Sequence, residues 1–131
     1  MTDVTALTVA ELSALLAERR LSAREALDSH LARIAQDGPP SFDGRPDAVN
    51  AWVRLYEEDA VAAADRADAR LREPGSAPPL CGIPIGLKDL YAVAGKPLTA
   101  SSRAVAHKPQ ADCDAWVRLK HAGAVLSLIH I

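Results

Sequence analysis

At 131 residues, with 49% hydrophobic and 24% charged residues and a net charge of −2, the chain has the balance of a soluble globular domain with one modest core. Acidic and basic residues are interleaved, which leaves no electrostatic footprint for nucleic acid and no Lys/Arg cluster for an anionic membrane. Residues 1–7 lack the charged and apolar regions of a secretion signal, so the expected compartment is the cytoplasm and Cys81 and Cys113 are expected to be reduced, partly buried thiols.

The first element is announced by Thr8-Val9-Ala10-Glu11, a capping box with Thr8 as N-cap and Glu11 at the third helical position, followed by Leu12, Leu15 and Leu16 on one face. This predicts a helix to about Arg19. Ser22-Ala23-Arg24-Glu25 repeats the device, and Leu27, Leu31 and Ile34 carry a second helix up to the Gly38-Pro39-Pro40 stop. Residues 37–46 read as a surface loop. Val49, Ala51, Val53 and Leu55 alternate as one side of a strand. A long helix from Glu57 to Arg72 follows, with Ala60, Ala64, Ala67 and Leu71 as its buried stripe and Asp65, Arg66, Asp68 and Arg70 on a solvated face. Glu73 to Pro79 is a Pro/Gly connector. Trp52 and Trp116 are expected in the core.

Gly82-Ile83-Pro84-Ile85-Gly86-Leu87-Lys88-Asp89 is the most informative stretch, because it brings a lysine to the end of an apolar run suited to a buried strand. Such a lysine ordinarily snorkels to water. Burial, by contrast, favours the neutral amine while the adjacent Asp89 carboxylate favours the ammonium, and a lysine balanced in this way can act as a base.

The context decides between the two. Pro79-Leu80-Cys81 before this stretch, Val93-Ala94-Gly95-Lys96-Pro97-Leu98-Thr99-Ala100-Ser101-Ser102 after it, and the helix and strand read from Asp112 to Val125 together resemble the amidase signature family. That family carries a G-[IV]-P-[IV]-x-[IVL]-K-D strand, a G-x-P turn and a T-x-G-S segment in this order. The likeness extends over residues 8–125 and implies an α/β fold, the N-terminal part of the amidase signature fold with helices packed around a mixed β-sheet.

It also implies chemistry. Amidase signature enzymes cleave carboxamides through a Ser, cis-Ser and Lys triad, and the likeness gives Lys88 the lysine role. A neutral lysine takes a proton from the bridging serine, which relays one from the nucleophilic serine as it attacks the amide carbon, and backbone N–H groups steady the oxyanion. Neither a metal nor an organic cofactor is implied. The implied partner is a small-molecule amide substrate, with no nucleic-acid contact through this stretch, no membrane, and subunit partners left open. Both triad serines belong to a G-S-S-G-G-S-type loop that this sequence does not contain. Ser101 and Ser102 match the earlier T-x-G-S segment instead, with Ser101 in the place of its glycine, and read as polar loop residues.

Residues 126–131, Leu-Ser-Leu-Ile-His-Ile, coincide with the translation of a transposase mosaic-end sequencing adaptor. The expected organisation is therefore 1–125 as the N-terminal part of an amidase signature domain and 126–131 as an adaptor-derived artificial tail, with an inactive fragment as the consequence. Two other readings stay open: a glutaminase subunit of a transfer-RNA-dependent amidotransferase, and a non-catalytic α/β interaction domain. His30, His107 and His121 pair with no cysteine or second histidine at metal-ligand spacing and read as surface or capping residues.

Overall fold

The computed structural model describes residues 3–40 and 45–130. After a single 3-10 turn at Val4–Ala6, helix α1 spans Val9–Ala17 and α2 spans Ala23–Ala35. Strand β1 (Trp52–Leu55), helix α3 (Glu57–Arg72), strand β2 (Pro84–Lys88), helix α4 (Asp114–His121) and strand β3 (Val125–His130) complete the order.

Both capping boxes form as expected. Thr8 Oγ1 accepts the Glu11 N–H at 3.2 Å while the Glu11 carboxylate accepts the Thr8 N–H at 2.8 Å. Ser22 and Glu25 reciprocate at 3.0 and 2.9 Å. Each box satisfies backbone donors that a helix start leaves without partners, which is why the sequence located both starts correctly.

The sheet is mixed, with strand order β1-β3-β2. β3 lies in the middle, antiparallel to β1 and parallel to β2, in register Leu55↔Leu128 on one side and Leu87↔Ile129 on the other. The segment expected to be an artificial tail therefore supplies most of the central strand. Ser127 is buried there, and its hydroxyl donates to the Ile85 carbonyl at 3.2 Å.

Two apolar clusters fill the two sides of this sheet. Leu12, Leu16, Leu27, Ile83 and Val125 join the alanines of α2 and α3 in the larger one. Leu87, Val93, Trp116, Leu126 and Ile129 form the smaller one under α4. Val125 and Leu126 fall in different clusters because successive strand residues point to opposite faces. Ile85 and Leu87 should share a face by the same rule, but a register irregularity between Ile85 and Gly86 separates them, and Ile85 packs against both clusters.

The alanine stripe lets the layers approach closely. Ala60 and Ala64 are fully buried, and Gly82, at φ 82°, lies so close to α2 that an added Cβ would stand 2.6 Å from the Ala23 Cβ. Cys81 is buried beside it, with its thiol donating to the Ala67 carbonyl at 3.7 Å and pushed up from its ordinary pKa chiefly by burial. Cys113 is a half-buried free thiol.

Three expectations need correction. The strand read from Val49 begins only at Trp52: Asp37 accepts the N–H groups of Val49 and Asn50 at 2.8 and 3.1 Å, Asn50 takes a φ of 56°, and Val49 is left 81% exposed. The α3 face is not uniformly solvated, since Asp68 reaches the start of α2. Trp116 is core but Trp52 is only half-buried. The loop expected at 37–46 lies partly outside the described residues.

Among the described residues no helix is long and apolar enough to cross a membrane.

Candidate active site

Strand β2 delivers Lys88 to its C-terminal end. Leu87 is buried beneath the sheet, and the alternation of the strand turns Lys88 outward, so that it is exposed. The expectation of an apolar enclosure around this amine is thus not met by the described residues: the apolar run packs its backbone while the side chain faces outward.

Asp89 behaves in the opposite way. Its side chain is only 1% exposed, although it occupies the turn in which the Tyr91 N–H donates to the Lys88 carbonyl at 3.0 Å. Turn aspartates are usually solvated. This carboxylate instead accepts the Thr99 N–H at 3.1 Å and the Thr99 hydroxyl, and it faces the Arg54 guanidinium of β1 at 3.8 Å. Adjacency in sequence suggests that Asp89 acts on the neighbouring lysine; its hydrogen bonds go to Thr99.

Thr99 opens the segment that resembles T-x-G-S. Ala100 and Ser101 both adopt left-handed backbone, at φ 51° and 58°, and the Ser102 N–H closes the turn onto the Thr99 carbonyl at 2.9 Å. The glycine that the resemblance expects at Ser101 is therefore wanted for its conformation, and serine tolerates it at a cost. Ser102 Oγ accepts the Ala104 N–H at 3.1 Å, as expected of a loop hydroxyl.

The rest of the long excursion from Asp89 to Cys113 is fastened at several points. Gly95 N–H donates to the Pro109 carbonyl at 2.8 Å, Leu98 and His107 bridge antiparallel, and the Cys113 N–H donates to the Ala92 carbonyl at 2.8 Å. Asp112 accepts the Ala94 N–H at 2.8 Å and an ion pair from Lys120. The Lys120 ammonium, followed by the Ala94 N–H, holds the Asp112 carboxyl below its usual range. Lys96 pairs with Asp59 at the start of α3 and lies 4.3 Å from the centre of the Tyr56 ring. A groove of about 770 Å³ runs along this side, lined by Arg54, Tyr56, Asp59 and Lys96 among others. Lys88 is not among its lining residues.

Sequence reasoning found Lys88 and the loop but missed Arg54 and the Asp89–Thr99 pair. The available signal was a charge inside an otherwise apolar strand, Val53-Arg54-Leu55. Of the histidines, His30 Nδ1 lies 2.8 Å from the Ala26 carbonyl and His107 belongs to the loop bridge. Among the described residues no group of three His, Cys, Asp or Glu is placed to hold a metal ion.

Residues 44–127, from β1 through β2 into β3, match the family model described as Amidase. The chain belongs to the amidase signature family.

Relatives in that family are named as an amidotransferase subunit and as an amidase. It is 45% identical over 122 residues to a glutamyl-tRNA(Gln) amidotransferase subunit from Halorhodospira halophila, covering 91% of this chain and 23% of that protein. It is 37% identical over 126 residues to an amidase of Pseudomonas putida, covering 96% of this chain and 25% of that protein. Among solved structures, the peptide amidase of Stenotrophomonas maltophilia superposes with a TM-score of 0.79 at 29% identity, over 95% of this chain and 24% of that one. The chain thus spans about a quarter of the length of these amidase signature relatives.

Proposed function

We propose that the chain supplies the lysine-bearing part of an enzyme that cleaves a carboxamide C–N bond, and that the whole protein is the glutaminase subunit of a transfer-RNA-dependent amidotransferase. The observation that carries this reading is the 45% identity to the glutamyl-tRNA(Gln) amidotransferase subunit from Halorhodospira halophila across nearly the whole chain. The geometry supports the same family chemistry: Lys88 stands outward at the end of β2 on a backbone held by a buried network.

In this reading the Lys88 amine takes the proton of a bridging serine, which in turn takes that of the nucleophilic serine. The serine oxygen bonds to the amide carbon, the carbonyl electrons move to oxygen, collapse of the tetrahedral species expels ammonia after the lysine returns its proton, and water then hydrolyses the acyl-serine ester to release the carboxylic acid and the free serine. These 131 residues contain no G-S-S-G-G-S-type loop, so in this reading both serines are supplied by the rest of the complete enzyme. The isolated chain accordingly has no turnover of its own.

A general amidase is the second reading, favoured by the 37% identity to the Pseudomonas putida amidase. The two are separated by expressing the complete gene product and following ammonia release. A glutaminase subunit releases ammonia from L-glutamine and depends on partner subunits and charged transfer RNA for full activity. Efficient hydrolysis of simple amides by the protein alone, with glutamine left untouched, establishes the general amidase instead.

A further inference from the structure

We propose that Asp89 is a positioning residue for Lys88: its buried carboxylate clamps Thr99 across the turn that ends β2, and so fixes the backbone from which the lysine projects. This deepens the reading of Lys88 as the base and rests on it.

Three observations carry the proposal. Asp89 is withdrawn from water, its side chain 1% exposed, at a turn position where a solvated aspartate would cost nothing to hold. Its two oxygens are both engaged by Thr99, one by the backbone N–H at 3.1 Å and the other by the hydroxyl. Thr99 in turn anchors the left-handed pair Ala100 and Ser101, at φ 51° and 58°, strain that persists only where the surroundings over-determine it.

Arg54 sets the third side of the clamp. Its Nη1 is buried, has no hydrogen-bond partner among the described residues, and stands 3.8 Å from Asp89, close enough to balance the charge and too far to share a proton directly. One carboxylate therefore joins β1, the end of β2 and the loop that returns over it. Because the Tyr91 N–H bonds the Lys88 carbonyl at 3.0 Å within the same turn, any loosening at Asp89 is transmitted to the peptide unit that carries the lysine.

The test has two arms. In this chain, amide hydrogen exchange is followed by NMR in the wild type, D89N and T99V. The clamp requires that D89N speeds exchange of the Thr99 and Tyr91 amides while amides in the middle of α2 and α3 keep their protection. T99V, which removes one donor and keeps the shape, gives a smaller increase at Thr99 and serves if D89N does not fold. In the complete enzyme assayed on L-glutamine, D89N lowers kcat by about 100-fold, the cost of misplacing a reacting group by roughly an ångström, with KM and the pH midpoint unchanged. Unchanged exchange at Thr99 in both variants overturns the proposal, and so does a shifted pH midpoint with exchange intact, since the carboxylate would then act on the charge of the lysine. Full turnover by K88A is a different failure: it removes the catalytic reading while the exchange arm still decides the clamp.

Discussion

Asp68, on α3, accepts the backbone N–H groups of Ala23 at 2.7 Å and Arg24 at 3.1 Å, so a side chain of one helix caps the first turn of another. Ser22 and Glu25 already close the local capping box, and Asp68 satisfies the two donors they leave, with its charge at the favourable end of the α2 dipole. Asp68→Ala should cost about 1–2 kcal/mol, the range for losing a cap, read as a lower urea midpoint at unchanged slope. Asp65→Ala, which removes an exposed partner 3.5 Å from Arg24, should change stability by less than about 0.5 kcal/mol. Equal effects of the two substitutions would refute the capping role.

Gly82 is the residue of the G-I-P-I motif for which structure supplies the clearest reason. A Cβ there would meet the Ala23 Cβ at 2.6 Å, and its φ of 82° suits no side chain. Gly82→Ala should destabilise by about 2 kcal/mol or more, combining overpacking with left-handed strain. Thermal unfolding at matched concentration checks this, and a melting temperature equal to that of the wild type would show that α2 yields easily.

The opposite sign is expected at Ser101, where a side chain occupies a conformation that glycine prefers, at φ 58°. Ser101→Gly should stabilise the chain by up to about 1 kcal/mol, the relief of left-handed strain less the entropy glycine brings to the unfolded state. A loss of stability would mean that the serine side chain contributes more than its backbone conformation costs.

Acid should weaken the junction between the excursion loop and α4. Asp112 is held below its ordinary pKa by Lys120 and by the Ala94 N–H, so on acidification the unfolded chain takes up this proton before the native one does. Its contribution is complete above the unfolded carboxyl pKa, about 4, and disappears as pH falls through the lower native value. The capping glutamates Glu11 and Glu25 are shifted in the same direction, each by its N-cap partner. Urea midpoints taken from about pH 6 to about pH 3 should therefore decline, and Asp112→Asn should flatten that decline. An acid limb of the same slope in the variant would exclude the Asp112 contact as a cause.

What the sequence made legible follows the range of the interactions involved. The helix starts at Thr8 and Ser22 were readable because each box closes within four residues, and α3 was readable over Glu57–Arg72 because Ala60, Ala64, Ala67 and Leu71 recur at helical spacing. Lys88 and its strand were readable through the family likeness. The contacts that were missed all join residues far apart in the chain. Asp37 stops β1 short from 12 positions away, Asp68 caps α2 from 45 away, and Asp89 finds Thr99 and Arg54 across a loop and a sheet. Nothing local distinguishes these aspartates from solvated ones. The exposure of Lys88 was hidden for a related reason: the apolar residues before it are buried by elements that pack on the backbone of β2, and the alternation of the strand then turns the lysine away from them.

The central claim is that Lys88 is the base of an amide-cleaving site, and the most direct test is steady-state ammonia release by the complete enzyme carrying Lys88→Ala or Lys88→Arg. Circular dichroism and a melting temperature matching the wild type establish that both variants fold, and both should lose at least about 1,000-fold in kcat/KM, as expected when a proton-transfer group is removed from a coupled triad. Turnover by Lys88→Ala within a few-fold of the wild type would contradict the account.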